Sequence, residues 1–239
     1  MTNDNLPGIL DTDEESARLK LLEQCEIIDT PPEEDYQAIA DLAARIFGCD
    51  QACITFMDNH EVFVKASLDK QIQRKIPKEQ SLSALCVKKR DTLLYSDIRQ
   101  VSGLADSLLF TGPAQQVRFF AAAPLLTESG YALGTISVFG PHPKTDAGET
   151  QLKMLELLAG IVMDMLRTRM ENRRKVHEYD LRLHQLVHDM KNPVTSISLY
   201  AQLLSNREMS AEKVFSMASK IEKSTKVIES NLNSLIGKN

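Results

Sequence analysis

One stretch dominates the possible folds of this chain. From Asp146 to about Ser205 the apolar residues recur at helical spacing, and Gly160 is the only helix-weakening residue before Pro193. A single helix over that span would be roughly 90 Å long at 1.5 Å rise per residue. No small domain can cover it, so it must leave a globular part and continue elsewhere. Its second half carries a heptad: Val176, Leu183, Met190, Ile197 and Leu204 fall seven apart, with Tyr179, Leu186 and Tyr200 on the complementary positions. After a break at Asn206 to Ser210, a second helical pattern runs from Ala211 to Ile236. It is lined by Val214, Ile221, Ile228 and Leu235 and supported by Ala218 and Leu232. Two such helices alone bury little, which predicts pairing of two copies as a dimeric four-helix bundle.

Upstream the period changes. Residues 1–15 are polar and acidic and read as a flexible tail. Leu19, Leu21, Leu22 and Ile27 suggest a first helix, ended by Asp29-Thr30-Pro31-Pro32. Thr30 or a neighbour would cap a second helix, with Glu33, Glu34 and Asp35 in its first turn and Gly48 at its C-cap. Its apolar face is Ile39, Leu42, Ala43 and Ile46. Strand-like runs follow at Ala52 to Met57 and Val62 to Ala66, joined by Asp58-Asn59-His60. Ser81 to Lys89 reads as a short helix, Thr92 to Ile98 as a strand, and Ala105 to Leu109 as a helical turn. Val117 to Leu126 and Tyr131 to Phe139 read as two more strands, and Thr145 as the N-cap of the long helix. Strands between flanking helices, with hairpin connections, predict an α+β domain over an antiparallel sheet.

Charge and cysteines narrow the function classes. A net charge of -5 argues against nucleic acid, because phosphate binding needs a cationic face. The basic run from Arg167 to Lys175 is interleaved with Glu171 and reads as a solvated helix face. No window approaches a membrane span, and the acidic N-terminus is neither a secretory signal nor a transit peptide, so a cytoplasmic location is expected. Cys25, Cys49, Cys53 and Cys86 are expected as free thiols. The Cys49 to Cys53 spacing matches no standard zinc site, and no metal is expected. Arg118, within an otherwise apolar strand, and Asp97 would either face a pocket or serve as a structural salt bridge or a strand-edge charge.

Inside the long helix sits His188-Asp189-Met190-Lys191-Asn192-Pro193-Val194. A neutral imidazole is a competent nucleophile, and an adjacent carboxylate can orient and polarise it. With Leu183 and Met190 in the seam, the heptad places His188 at its outermost position, facing solvent. Asn192 follows one turn later. Pro193 removes the hydrogen bond to the carbonyl of Asp189, which allows a bend beside the imidazole. His184 lacks such neighbours and reads as a surface residue.

These segments resemble two known families. Residues 16–166 resemble a GAF domain of the bacterial signalling type, through Leu22 to Pro32, Leu42 to Gly48, Leu109 to Pro113, Val117 to Leu125 and Leu133 to Val138. Residues 179–239 resemble the dimerisation and phosphoacceptor hairpin of sensor histidine kinases, whose H-box agrees with residues 188–194 at every position. Residues 167–178 would be a coiled-coil signalling helix between them. The resemblance implies that His188 accepts the γ-phosphoryl group of ATP, that Asp189 holds the opposite ring nitrogen and acts as base, and that Lys191 supplies positive charge. It implies that Asn192 orients water when a partner is dephosphorylated. No ATP-binding motif follows the second helix. The chain would therefore be a fragment, or a short protein whose His188 is phosphorylated in trans by a separate kinase ATP-binding domain or not at all. No cofactor is expected on this chain itself, and ATP enters only as a donor bound elsewhere. The implied partners are a second copy of the chain and a response-regulator receiver domain. The alternatives are a non-enzymatic dimeric binding module and a response-regulator phosphatase acting through Asn192. In the GAF part, Cys86 is followed by Val87, against a covalent bilin. Ser83 and Leu85 stand where close relatives carry Cys and His, against a redox or metal role there.

Overall fold

The strands form where alternation meets tight turns. In the computed structural model, which describes residues 12–70, 72–101, 116–205 and 209–236, β1 (Gln51–Met57) and β2 (Glu61–Ser67) are joined through Asp58-Asn59-His60 as expected. The turn is closed by the Asp58 amide donating to the Glu61 carbonyl at 2.8 Å. With β3 (Lys75–Pro77), β4 (Leu93–Tyr95), β5 (Phe119–Leu126) and β6 (Ala132–Gly140), they make a six-stranded sheet in the order β3-β2-β1-β6-β5-β4. Every pairing is antiparallel. Gly134 lies where a Cβ would stand 1.9 Å from the Thr55 carbonyl oxygen, so only glycine permits this approach of β6 to β1.

One face of the sheet is covered by α1 (Thr12–Cys25), α2 (Glu34–Phe47) and the first part of α4 (Glu149–Ser205). Leu22, Tyr36, Phe47, Ile54, Phe119, Leu125 and Val162 meet in the main core there. On α4, Leu155, Leu158, Ala159, Val162 and Leu166 are buried at the three-and-four spacing of a helix face. The opposite face carries α3 (Ser83–Lys89), packed through Cys86 and Val87.

The ends of the elements correct several expectations. α1 includes Thr12 to Glu15, which lie inside the stretch read as a tail, and Arg18 ties this helix to the sheet. That buried guanidinium donates to the Met57 carbonyl at 2.5 Å and to both oxygens of Glu15 at 2.7 and 2.8 Å. Arg18, and Lys78 after it, hold the Glu15 carboxyl down at about 2 against the opposing effect of burial. Thr30 does not cap α2; the N-cap is Glu33, which makes no side-chain cap bond. Gly48 does close α2, left-handed at φ 58, with the amides of Gly48 and Cys49 on the Arg45 and Ala44 carbonyls. The long helix begins at Glu149, after the expected Thr145 cap, with the Gly148 amide on Gln151 Oε1 at 2.8 Å. It runs through Pro193 to Ser205. The turn expected at Ala105 to Leu109, the Leu109 to Pro113 segment and most of the Asn206 to Ser210 break lie outside the described residues.

The chain divides into two compact units, Met1–Met170 and Glu171–Asn239. The first contains the sheet and its layers. In the second, the rest of α4 returns as α5 (Ala211–Ile236), with Lys220 Nζ 5.2 Å from the centre of the Tyr200 ring. Leu186, Met190, Ile197, Tyr200 and Leu204 are half-buried in this hairpin, while Val176, Tyr179 and Leu183 stay exposed. On α5 the half-buried positions are Met217, Ile221, Ser224, Ile228 and Asn231. Val214, Ala218 and Leu232, expected in the seam, are exposed instead, and the side chain of Leu235 lies outside the described part. The hairpin seam thus takes only half of the apolar heptad positions.

Candidate functional site

The His188 motif occupies a helical surface. Helix geometry turns the His188 side chain outward at 75% exposure, and Asp189 beside it is 51% exposed. His188 Nδ1 and Asp189 Oδ1 are 3.3 Å apart, which leaves Nε2 as the nitrogen without a protein partner among the described residues. Lys191 and Asn192 are exposed, and Pro193 is the one buried residue among those described in the second unit. Around the proline the Thr195 hydroxyl donates to the Lys191 carbonyl at 2.7 Å, and the Ser196 hydroxyl to the Asn192 carbonyl at 3.0 Å. These bonds give the helix extra local partners where proline removes one.

The first unit holds a cavity of about 390 Å³ on the sheet face opposite the main core. Its floor comes from strand residues at alternate positions, Cys53 and Thr55 on β1 and Ser137 on β6. Pairing of β1 with β6 brings Cys53 opposite Ser137 and Thr55 opposite Thr135. Cys53 Sγ lies 3.1 Å from Ser137 Oγ, and the two threonine hydroxyls are 3.0 Å apart. Burial pushes the Cys53 thiol up to about 11 and the Cys86 thiol up to about 12. Both are far from the thiolate form that reacts or binds metal. Cys25 and Cys49 are raised by burial as well, and all four cysteines are free. Among the described residues no group of three or more His, Cys, Asp or Glu is placed to hold a metal ion.

Arg118 and Asp97 resolve into a salt bridge. Arg118 Nε donates to Asp97 Oδ1 at 2.7 Å and its Nη2 to Oδ2, a fork-to-fork pair. The hydrogen bonds from Arg118, with the Arg99 amide and Gln100 added, hold Asp97 down at about 2. Asp97 also caps the single helical turn Ile98–Gln100. The pair is therefore a fastener under β5.

A second polar cluster lies on the helix-covered side. Between Ile54 and Thr55 the register of β1 against β2 shifts, and Lys65 is the extra residue. Such a bulge re-aims a side chain. Lys65 Nζ is buried against Thr30 Oγ1 at 2.6 Å, the Pro31 carbonyl at 2.8 Å and the Glu33 carboxylate, 5.1 Å from the centre of the Tyr36 ring. From α4, Arg169 Nη1 reaches both Glu33 oxygens at 3.0 and 3.2 Å. Burial pulls Lys65 below the ordinary lysine range, and Glu33 only partly counters it. Glu33 itself, though burial opposes ionisation, is held low by Lys65 and Arg169. This Lys65–Glu33–Arg169 cluster and the cavity hydroxyls escaped sequence reading. Their signals were a lysine inside the apolar run Val62 to Ala66, and hydroxyls at alternate positions of otherwise apolar strands.

A family model of the GAF domain matches residues 31–164, and the chain belongs to that family of sensory domains. Among curated proteins it is 26% identical over 156 residues to a cyclic di-GMP phosphodiesterase of Pseudomonas aeruginosa, a match covering 65% of this chain and 26% of that protein. The chain thus spans about a quarter of that relative. Among solved structures it is similar to the GAF domain of an Acinetobacter phosphoenolpyruvate-protein phosphotransferase, at 14% identity and TM-score 0.48, covering 66% of this chain and 95% of that one. A domain assigned to a two-component sensor histidine kinase of Sinorhizobium meliloti gives 19% identity and TM-score 0.48, covering 60% of this chain and 97% of that one. No helix among the described residues is long and apolar enough to cross a membrane.

Proposed function

We propose that this chain is the sensing and phosphoacceptor part of a two-component histidine kinase system. The observation that carries the reading is the exposed His188 with Asp189 on its Nδ1, inside a seven-residue motif on a helix that starts in the GAF unit. In this reading the Nε2 lone pair of His188 attacks the γ-phosphorus of ATP held by a separate ATP-binding domain, and ADP leaves. The Nδ1 proton stays on or moves towards Asp189, so the ring ends as a phosphoimidazole stabilised by the adjacent carboxylate. Lys191 adds positive charge nearby. The phosphoryl group then passes to a receiver domain of a response regulator.

A homodimer completes the arrangement. Val176, Tyr179, Leu183, Val187 and Val194 are exposed apolar residues on α4, 51 to 69% accessible, and a second copy of the same helix is a self-complementary cover for them. The GAF state would leave the first unit through the Lys65–Glu33–Arg169 cluster, because Lys65 belongs to a sheet strand and Arg169 to α4.

Asn192, exposed one turn after His188, favours a second activity at the same surface: orienting water against a partner's phospho-aspartate. The deciding experiment incubates the chain with ATP alone, then with an added kinase ATP-binding domain, then with receiver domains. Acid-labile phosphate on His188 in the second arm, absent in His188→Ala, is expected. Equal labelling of wild type and His188→Ala would overturn the reading and leave a dimeric binding module. Slower partner dephosphorylation in Asn192→Ala, with labelling intact, would separate the phosphatase role.

A further inference from the structure

The chain has five histidines, and three of them, His177, His184 and His188, lie on α4 within residues 177–188. At about 100° per residue these three fall within about 40° of one another around the helix axis. That side is turned away from α5. Met190 is half-buried in the hairpin seam, and His184 and His188 stand about 120° and 160° round the helix from it. Both rings are open to solvent, His188 at 75% exposure and His184 exposed one turn before it.

One helical turn separates His184 from His188, which puts their Cβ atoms about 5–6 Å apart. Two imidazoles at this spacing can close on one ion from a single helix face, as in zinc sites built on two histidines four apart. His177 lies seven residues before His184, about 10 Å along the axis, and is too distant to share that ion. The tautomer of His188 suits a ligand. Its Nδ1 is 3.3 Å from Asp189 Oδ1, so the ring proton belongs on Nδ1 and the Nε2 lone pair is left for coordination. A carboxylate on the far nitrogen is the usual outer support of a metal-bound histidine. Asp180, one turn before His184, adds negative charge near the pair, and Lys191 opposes it from the turn after His188. Among the described residues no third His, Cys, Asp or Glu converges there, so the remaining coordination positions are left to water.

We propose that His184 and His188 chelate one transition-metal cation of the Zn2+ or Cu2+ class, with Nε2 as the ligand atom of His188. Imidazole nitrogen favours these ions, whereas Mg2+ and Ca2+ require oxygen donors. Both donors are neutral, and two waters leave the ion as two nitrogens enter. The same Nε2 lone pair is the one that would attack phosphorus, so a bound ion blocks phosphorylation of His188. That consequence rests on the phosphoacceptor reading above, and the metal site itself does not.

The test uses the full chain, stripped of metal, in calorimetric titrations with ZnCl2 and MgCl2 in a non-coordinating buffer. Zn2+ should bind saturably at one ion per chain, and Mg2+ should give no binding heat. His184→Ala and His188→Ala should each weaken Zn2+ binding at least tenfold, and Asp189→Asn by about tenfold. His177→Ala and Cys49→Ser should leave it unchanged. No saturable Zn2+ binding up to about 1 mM, one ion per two chains, or binding that survives both His184→Ala and His188→Ala overturns the proposal. Labelling of His188 by an added ATP-binding domain is followed in parallel. Zn2+ should suppress it, and His184→Ala should raise the suppressing concentration at least tenfold. Equal suppression in wild type and His184→Ala would overturn the block at His188. Absence of labelling in every arm, with the calorimetry as expected, would overturn the phosphoacceptor reading and leave the metal site standing.

Discussion

The two units bury their apolar residues in opposite ways. Apart from Pro193, every buried apolar side chain among the described residues, from Leu22 to Leu166, belongs to the first unit. In the hairpin, apolar residues as large as Phe215, at 78% exposure, and Tyr179, at 69%, face solvent. The same helix α4 serves both, so the contrast cannot be one of helix propensity. It lies in what each part of the helix has to pack against: a six-stranded sheet for Leu155 to Leu166, and a single antiparallel helix after that. A unit with its own core stands alone, and a helical pair of this kind gains most of its burial from an added surface. That is why the first unit is covered within one chain, while the hairpin leaves large apolar side chains in solvent.

The sharpest way to break this contrast is Gly134→Ala. A Cβ 1.9 Å from the Thr55 carbonyl oxygen cannot be relieved by a side-chain rotation, so the first unit should lose about 4 kcal/mol or more. Circular dichroism should then show an early loss of tertiary signal with helical signal persisting from the hairpin. Coincident loss of both signals at one midpoint would mean that the units do not differ as described. Next in size, Lys65→Ala strands Glu33 and Thr30 around an empty position and should cost about 3 kcal/mol by denaturant titration. Lys65→Met, which keeps the volume, should cost less.

Acid should separate the units by pH. Glu15 and Asp97 are both held down at about 2, and Glu33 is lowered too. A carboxylate depressed on folding contributes stability that is fully present above its unfolded value, near 4, and is lost as pH falls towards its folded value. The first unit should therefore weaken between about pH 4.5 and 2. Glu15→Gln and Asp97→Asn should each lower the midpoint at neutral pH and flatten that slope. An unchanged slope in both would show that the pairs do not hold the sheet. For the hairpin, Leu183→Asp should lower self-association at least tenfold in sedimentation while leaving the cavity untouched. The smallest effect is expected at the exposed Arg45–Asp41 pair, 75 and 45% accessible, where Arg45→Ala should leave the thermal midpoint within error.

How much of this was legible beforehand depended on whether periodicity carried the information. The long helix, the β1–β2 hairpin and the Gly48 stop follow from spacing and turn chemistry, and they are present. The three-residue strand β3 is too short to have a period, and it exists because β2 offers an open edge. Thr30 looked like a helix cap, but the bulge at Lys65 delivers an ammonium to its hydroxyl, a contact 35 residues away in the chain. The His188 motif was legible because its residues are adjacent. The cavity was not, because Ser81, Thr55 and Ser137 come together only when the sheet pairs.

The four cysteines have a use beyond packing. Their thiols are held protonated by burial, and three of them are shut inside the first unit. An alkylating reagent can therefore reach Cys25 or Cys86 only when the surrounding structure opens. The half-buried Cys49 at the end of α2 should be modified first, and the order of the others would time the openings of individual layers. The molecule thus carries its own set of internal clocks.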